Sequence, residues 1–399
     1  MRQNGKLTER NRDRALGCLV GGAVGDALGY AVEFEQWPYI RNTYGDKGIT
    51  RYQLAGNGKA LISDDTQMTL FTSAGILLGM TRGHMRGIMG RIDTYCHWTY
   101  LDWLHTQEWD LRKPNERSDS WLMDVPELYA RRAPGNTCLS ALKSLENNKE
   151  PQNNSCGCGG VMRTAPLAIL DYLHGYADAE YEYCDMVAAE AARITHKHPL
   201  GFLPSAVLND ILMQLFDGEI DRGTSLSDIV HNAIKRLPSI KSETDKDRTY
   251  GELWPNDVAK LRRLLKYAME LTVRDIPDHV AIEKIGGGWT GHEALAIAIY
   301  SAVKHSNNFE NAIVSSVNHS GDSDSTGAIC GNIMGALLGR NAIPDYYTKD
   351  LELLDIIEEM AEDLFTGCII SEYMDRDTPE ARRWFEKYCL FKRPSEDSR

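Results

Sequence analysis

Apolar residues recur three or four positions apart through most of the chain, as in Leu70, Ala74 and Leu77, in Val187, Ala191 and Ile194, and in Ala294, Ile297 and Tyr300. Because 3.6 residues complete a helical turn, that spacing gathers them on one face of a helix. Period-two alternation, the mark of a half-buried strand, is scarce, so the pattern predicts an all-α chain with little or no sheet. Thr290 and Glu293, just before an apolar run, read as a capping box that satisfies the amides at a helix start. Polar, turn-rich stretches near 106–118, 147–155 and 242–257 are expected to be loops, and the charged residues 392–399, with Pro394, a frayed tail. No fixed repeat and no linker divides residues 1–391, which are expected to form one domain.

Two segments depart from ordinary helical composition. Gly17, Gly21, Gly25 and Gly29 are spaced by four, and so are Gly327, Gly331, Gly335 and Gly339. Each set makes a stripe along one side of a helix. Glycine inside a helix costs about 0.5 to 1 kcal/mol relative to alanine, so the stripes imply helices packed unusually close, with backbone against backbone.

Composition narrows the functional classes. The chain has 399 residues, 42% of them hydrophobic, enough for a sizeable core, and a formal net charge of -13 argues against a surface that neutralises nucleic acid. Basic residues precede an apolar stretch at the start, but Asp26 interrupts it and no small-residue cleavage site follows, so no export signal is read. No other apolar run approaches the ~18 residues of a membrane span. The nine cysteines are scattered in apolar contexts such as Cys18, Cys184 and Cys330, which reads as free thiols in a reducing compartment. Cys156 and Cys158, a lone close pair, do not make a zinc site. A cytoplasmic location is expected.

Acidic residues lie beside both glycine stripes. Asp26 and Glu33 follow the first, and in HSGDSDSTGAICG Asp322, Asp324 and Ser325 precede the second. A third cluster, SDDTQMTL, offers Ser63, Asp64, Asp65 and Thr66 at the head of another helix. Each alone reads more readily as a helix cap, since Ser, Thr and Asp are the usual N-cap residues. Together they supply more carboxylates than capping needs, and hard oxygen donors without Cys or His suit Mg²⁺ or Mn²⁺.

In order along the chain, GCLVGGAVGDALGYAVEF, SDDTQMTL, GCGGVMRTAPLAI, THKHPLGFLPSAV, GGGWTGHEALAIAIY and NHSGDSDSTGAICGNIMGALLG resemble the ADP-ribosylglycohydrolase family, which includes the dinitrogenase reductase-activating glycohydrolases and the ADP-ribosylarginine hydrolases. The resemblance implies an orthogonal multi-helix bundle with a central two-metal cleft. It implies two Mg²⁺ ions, or Mn²⁺, on Ser63, Asp64, Asp65, Asp322, Asp324 and Ser325, with Glu33 and Asp26 lining the same cleft. Ser63 and Ser325 stand where many relatives have threonine, which keeps the hydroxyl and loses the methyl.

Hydrolysis of an ADP-ribosyl bond passes through an oxocarbenium-like state and needs a positioned water and a proton acceptor. Asp64, Asp65 and Glu33 are the candidate acceptors. Ser155, Gly157, Gly159 and Gly160, leading into a helix, can turn backbone amides toward the phosphates or ribose, with an ordinary helix-entry turn as the other reading. Arg163 adds charge there or serves a structural ion pair. His196 and His198 point apart and make poor chelators of one ion; by resemblance His196 contacts ADP-ribose, against a packing or capping role. Trp289, among Gly286, Gly287, Gly288 and Gly291, reads as a stacking residue on a loop over the cleft or as a packing tryptophan. The expected function is removal of ADP-ribose from arginine on a modified protein, opposing an ADP-ribosyltransferase. The alternatives are the same chemistry on serine, a nucleic-acid end or a small metabolite, and a non-catalytic binding protein.

Overall fold

The computed structural model describes residues 8–88, 90–108, 118–173, 181–243, 245–370 and 378–389. The tail at 392–399, residues 109–117 of one expected loop and the Cys184 side chain lie outside the described residues. The helices are α1 (Glu9–Tyr30), α2 (Trp37–Tyr44), α3 (Asp64–Arg86), α4 (Ile92–Gln107), α5 (Asn136–Glu146), α6 (Ala165–Leu173), α7 (Tyr181–Arg193), α8 (Pro199–Phe216), α9 (Leu226–Arg236), α10 (Tyr250–Leu253), α11 (Pro255–Thr272), α12 (Asp278–Ile285), α13 (Gly291–Lys304), α14 (Phe309–Val317), α15 (Ser323–Leu338), α16 (Asp345–Thr348), α17 (Leu354–Thr366) and α18 (Pro379–Tyr388). Among the described residues, extended pairing is limited to isolated bridges at Ala60 with Leu351, Gly157 with Thr290, and Lys241 with Thr249. The chain is all-α, as its periodicity predicts.

Local chemistry starts the helices where the sequence provides caps. Thr8 accepts the amide of Asn11 at the head of α1, and Ser225 with Asp228 closes a full capping box on α9. The box expected at Thr290 does not form. Thr290 is the N-cap of α13 but its hydroxyl is buried without a partner. Its neighbours Trp289 and Gly291 pair instead with Cys158 and Cys156 across the bridge to Gly157, and the Glu293 side chain lies against Gly286, away from the cap. The stretch 242–257, read as loop, contains α10 and the start of α11, which Thr249 with Glu252 and Pro255 initiate.

The helix α8 corrects the membrane reading. Its 18 residues are long and apolar enough to cross a membrane by length and composition, yet 94% of them are buried inside the protein. It is a core helix, begun by the His198 side chain accepting the amide of Leu200, with Pro199 in the first turn.

The two glycine stripes meet each other. Helices α1 and α15 run antiparallel, with Gly17 opposite Gly335, Gly21 opposite Gly331, and Gly25 opposite Gly327. A Cβ on Gly331 would lie 2.5 Å from the carbonyl carbon of Gly21 and 3.0 Å from Cα of Gly22. Only glycine permits that approach, and the helix-propensity cost is offset by backbone packing along the whole crossing. Because the helices are antiparallel, the last turn of α1 meets the first turn of α15. Gly29 packs on Ser323 and Asp324, which carries the acidic residues of the two ends to one place.

Candidate active site

Three helix ends converge there: the C-terminal part of α1 and the N-termini of α3 and α15. Asp26, wholly buried, turns its carboxylate to the head of α3, accepting the Ser63 amide at 3.0 and 3.1 Å, the Thr66 amide at 3.1 Å, and the Thr66 hydroxyl. Its recorded partners are thus backbone and hydroxyl groups of α3, so it anchors the acidic loop from behind. Ser63 caps α3 through the Asp65 amide at 3.2 Å, leaving Asp64 and Asp65 beyond what the cap uses. The Asp64 amide donates to the carbonyl of Arg132 at 3.1 Å, and Asp64 Oδ2 accepts the Gly135 amide at 3.3 Å. On α15, Asp322 caps through the Ser325 amide at 3.3 Å while Asp324 Oδ1 takes the same amide at 2.9 Å. The Cys158 thiol donates to Asp322 Oδ2 at 2.8 Å, and the Asp322 amide donates to the carbonyl of Gly287 at 2.8 Å.

Electrostatics mark this cluster as unfinished. Asp64, Asp65, Asp322 and Asp324 are each at most 5% exposed, and none makes an ion pair with a cation among the described residues. Burial, then the charge of Asp324, pushes the carboxyls of Asp64 and Asp65 well above the usual range. Burial and Asp322 do the same to Asp324. Asp26 is raised to about 7 by burial and by Asp324. Glu33, in the turn after α1, is raised to about 11 by burial and by Asp324, Asp322 and Asp64. Carboxylates that repel one another in a dry site bind protons or a cation. Asp65 Oδ2 and Glu33 Oε2 are buried without hydrogen-bond partners, and such groups are costly unless a ligand completes them. Among the described residues no three His, Cys, Asp or Glu side chains are already gathered as a metal cage. The donor set itself, all oxygen, acidic and without a counter-charge, fits a hard divalent ion.

The glycine-rich loop borders this cluster. Gly157 is bridged to Thr290, the Cys158 amide donates to the Trp289 carbonyl at 3.3 Å, and the Gly291 amide donates to Cys156 at 2.8 Å. Ser155 Oγ accepts the Gly157 amide at 3.3 Å and the Thr137 hydroxyl at 3.0 Å. His196 lies under the loop, 1% exposed, its Nδ1 paired with the Thr195 hydroxyl at 2.9 Å. A Cβ on Gly157 would meet its Nε2 at 3.3 Å, and one on Gly159 its Cε1 at 3.1 Å. Gly160 is buried against the carbonyl of Gly201. In this arrangement His196 packs beneath the loop, and burial, with Arg163 nearby, lowers its pKa to about 3, so it is neutral. Arg163 is also interior: its guanidinium sits 4.4 Å from the Tyr100 ring centroid and donates to the Thr195 hydroxyl at 2.6 Å. Neither sequence reading of Arg163, phosphate charge or ion pair, describes it.

Trp289 is 45% exposed and stacks on Phe34, 63% exposed, with ring centroids 5.5 Å apart and planes 18° from parallel. Phe34 directly follows Glu33 and holds the left-handed conformation, φ 68°, which costs a non-glycine residue on the order of 1 kcal/mol or more. The sequence reading missed Phe34, and only its adjacency to Glu33 signalled it. It also passed over Cys158, Gly135 and the Arg132 carbonyl as partners of the aspartates, because those contacts join segments distant in the chain.

Comparison with known proteins gives the chain a family and a fold. The ADP-ribosylglycohydrolase family profile matches residues 7–372. The ADP-ribosylhydrolase ARH1 of Dictyostelium discoideum is 23% identical over 90% of this chain and 97% of its own length. The ADP-ribosyl-[dinitrogen reductase] glycohydrolase of Rhodospirillum rubrum is 25% identical over 86% of this chain and 91% of its own. A solved structure titled ADP-ribosylglycohydrolase-related protein complex superposes with a TM-score of 0.60 at 21% identity, over 90% of this chain and 99% of that one, which speaks for the fold. The acidic convergence of α1, α3 and α15 therefore sits in a chain that belongs to the ADP-ribosylglycohydrolase family, whose members hydrolyse glycosidic bonds to ADP-ribose.

Proposed function

We propose that the protein removes ADP-ribose from arginine side chains of a modified protein by Mg²⁺-dependent hydrolysis of the N-glycosidic bond, in the cytoplasm. The observation that carries this is a buried set of carboxylates, with no ion-pairing cation among the described residues and with two unpartnered oxygens, on Asp65 and Glu33, beside a glycine loop and an exposed aromatic pair. Ser63, Asp64, Asp65, Asp322, Asp324 and Ser325 would close on two Mg²⁺ ions, or on Mn²⁺. Such ions supply charge that holds ribose hydroxyls and acidifies a water.

The chain's own groups account for the rest. Asp26 keeps the head of α3 in place through the Ser63 and Thr66 amides. Cys158 and the Gly287 carbonyl orient Asp322. Glu33 is only partly buried, in the turn that also exposes Phe34, whereas Asp64 and Asp65 are buried, and that access makes it the preferred proton carrier over them. Ser155, Gly157 and Gly159 face the ADP-ribose, with His196 holding the loop from beneath and Gly160 packing it on α8. Trp289, with Phe34, offers a flat apolar surface for a guanidinium or a base. An ADP-ribosyltransferase that installs the modification is the proposed counterpart.

The test is release of ADP-ribose from a mono-ADP-ribosylated arginine protein with Mg²⁺ or with chelator, for the parent and Asp64→Ala. Metal-dependent release that the variant loses supports the reading. Binding of ADP-ribose without release from arginine would turn the assignment to serine and other linkages.

A further inference from the structure

The chain carries a net charge of -13, yet one face of α11 runs against it. A cavity of 790 Å³ lies between α11 and the junction of α12 with α13. That volume is in the range of small-molecule sites, about 300 to 1,000 Å³. Lys260, Arg263 and Lys266, all exposed and from successive turns of α11, line it and make no ion pair among the described residues. Arg262 lines it too, with its Nε–H given to the Ile234 carbonyl at 3.1 Å. Glu270 and Glu293 are the carboxylates of the lining, outnumbered by these cations.

The lining is not simply a solvated basic stripe. Leu264, Tyr267 and Ile285 give it an apolar part, with a ring able to stack. His292 also lines it, 4% exposed, with Nδ1 buried and unpartnered. Burial, then Lys260 and His198, lower the His292 pKa to about 4, so a neutral imidazole sits in a positive field. His292 and Glu293 belong to the first turn of α13, directly after Trp289 and the Thr290 that is bridged to Gly157. An occupant of the cavity would touch the segment that frames the candidate active site from its other side.

We propose that this cavity is a second ligand site, for a phosphorylated metabolite of nucleotide size. Lys260, Arg263 and Lys266 hold the phosphates as charge-assisted donors, and Tyr267 with Leu264 and Ile285 receives the planar part. The buried, unpartnered imidazole and the apolar lining suit such a ligand better than an acidic polypeptide, which a row of cations alone would serve.

The experiment is calorimetric titration of the full chain with ADP in the presence of saturating ADP-ribose, for the parent and for the Lys260→Ala/Lys266→Ala variant. Both lysines are exposed, so the fold persists, and a melting curve checks it. ADP is expected to bind the ADP-ribose-saturated parent, more weakly as salt rises, and at least about tenfold more weakly to the variant, since one charge-assisted contact is worth about a factor of ten. No ADP binding once ADP-ribose is present, or equal affinity in the variant, overturns the proposal. So does loss of ADP-ribose binding itself in the variant, which would make the cavity part of the substrate's site. Binding of a poly-glutamate peptide but not of ADP also overturns it, assigning the face to polypeptide.

Discussion

Gly331→Ala sets local propensity against tertiary packing. On propensity alone, alanine in the middle of α15 should stabilise the helix by about 0.5 to 1 kcal/mol. The structure predicts the opposite. The new Cβ would stand 2.5 Å from the carbonyl carbon of Gly21 and 3.0 Å from Cα of Gly22, with the Gly21 carbonyl oxygen closer still, where ordinary contact begins at 3.4 Å, so α1 and α15 must part by at least about 1 Å. Both obstacles are backbone, so no rotamer change relieves the clash. Overpacking of this kind costs about 1 to 3 kcal/mol, and here it also forfeits close contacts on both sides of the crossing. A net loss of about 2 kcal/mol corresponds to a fall in Tm of roughly 4 to 8 °C, given about 2 to 4 °C per kcal/mol for domains somewhat smaller than this one. The assay is thermal unfolding by circular dichroism, with Gly56→Ala as control, since a Cβ there meets nothing within 4 Å and should change little. A Tm for Gly331→Ala at or above the parent's would refute the argument that the glycine stripes exist for backbone contact.

Further tests address the site and the charge network. Mg²⁺ at about 100 times its Kd should stabilise the parent by about 2.7 kcal/mol, seen as a rise in Tm that Asp324→Ala largely abolishes; an unchanged parent Tm would speak against a folded-state metal site. Asp26→Asn places amide hydrogens against the Ser63 and Thr66 amides, so it should cost about 1 to 3 kcal/mol and speed hydrogen exchange at those two residues relative to mid-α3. Asp278 is partly buried, which would raise its pKa, but hydrogen bonds from His305, Lys304 and Tyr300 hold it below the usual range. Its contribution is therefore present above the unfolded carboxylate value of about 3.9 and lost as pH falls through the lower folded value. Asp278→Asn should lower Tm near neutral pH, and the gap to the parent should narrow below about pH 4; a constant gap would count against the assignment.

Much of this protein is legible in its sequence because the signals are local. Helical periodicity predicts the all-α class, since burial of one face needs only the 3.6-residue repeat. Glycines four apart announce close helix packing, because nothing else offsets their cost in a helix. The Ser-Asp-Asp-Thr and Asp-Ser-Asp-Ser clusters mark helix heads with more carboxylates than caps require. What lies between elements is decided only by the folded chain. No sequence rule pairs Gly21 with Gly331, and that register is what brings Asp26 and Asp324 together, with Asp26 then holding the head of α3 that carries Asp64. Asp26 reads as one more cleft acid until its carboxylate is seen bonded to the head of α3. The Thr290 box fails where the flanking Trp289 and Gly291 pair with the glycine loop and Glu293 lies against Gly286, and α8, not singled out in the sequence, proves to be an 18-residue apolar helix buried in the core. Local propensity and periodicity act within a few residues and so appear in the sequence; burial, register and field are sums over segments far apart in it, and only the tertiary structure brings those segments together.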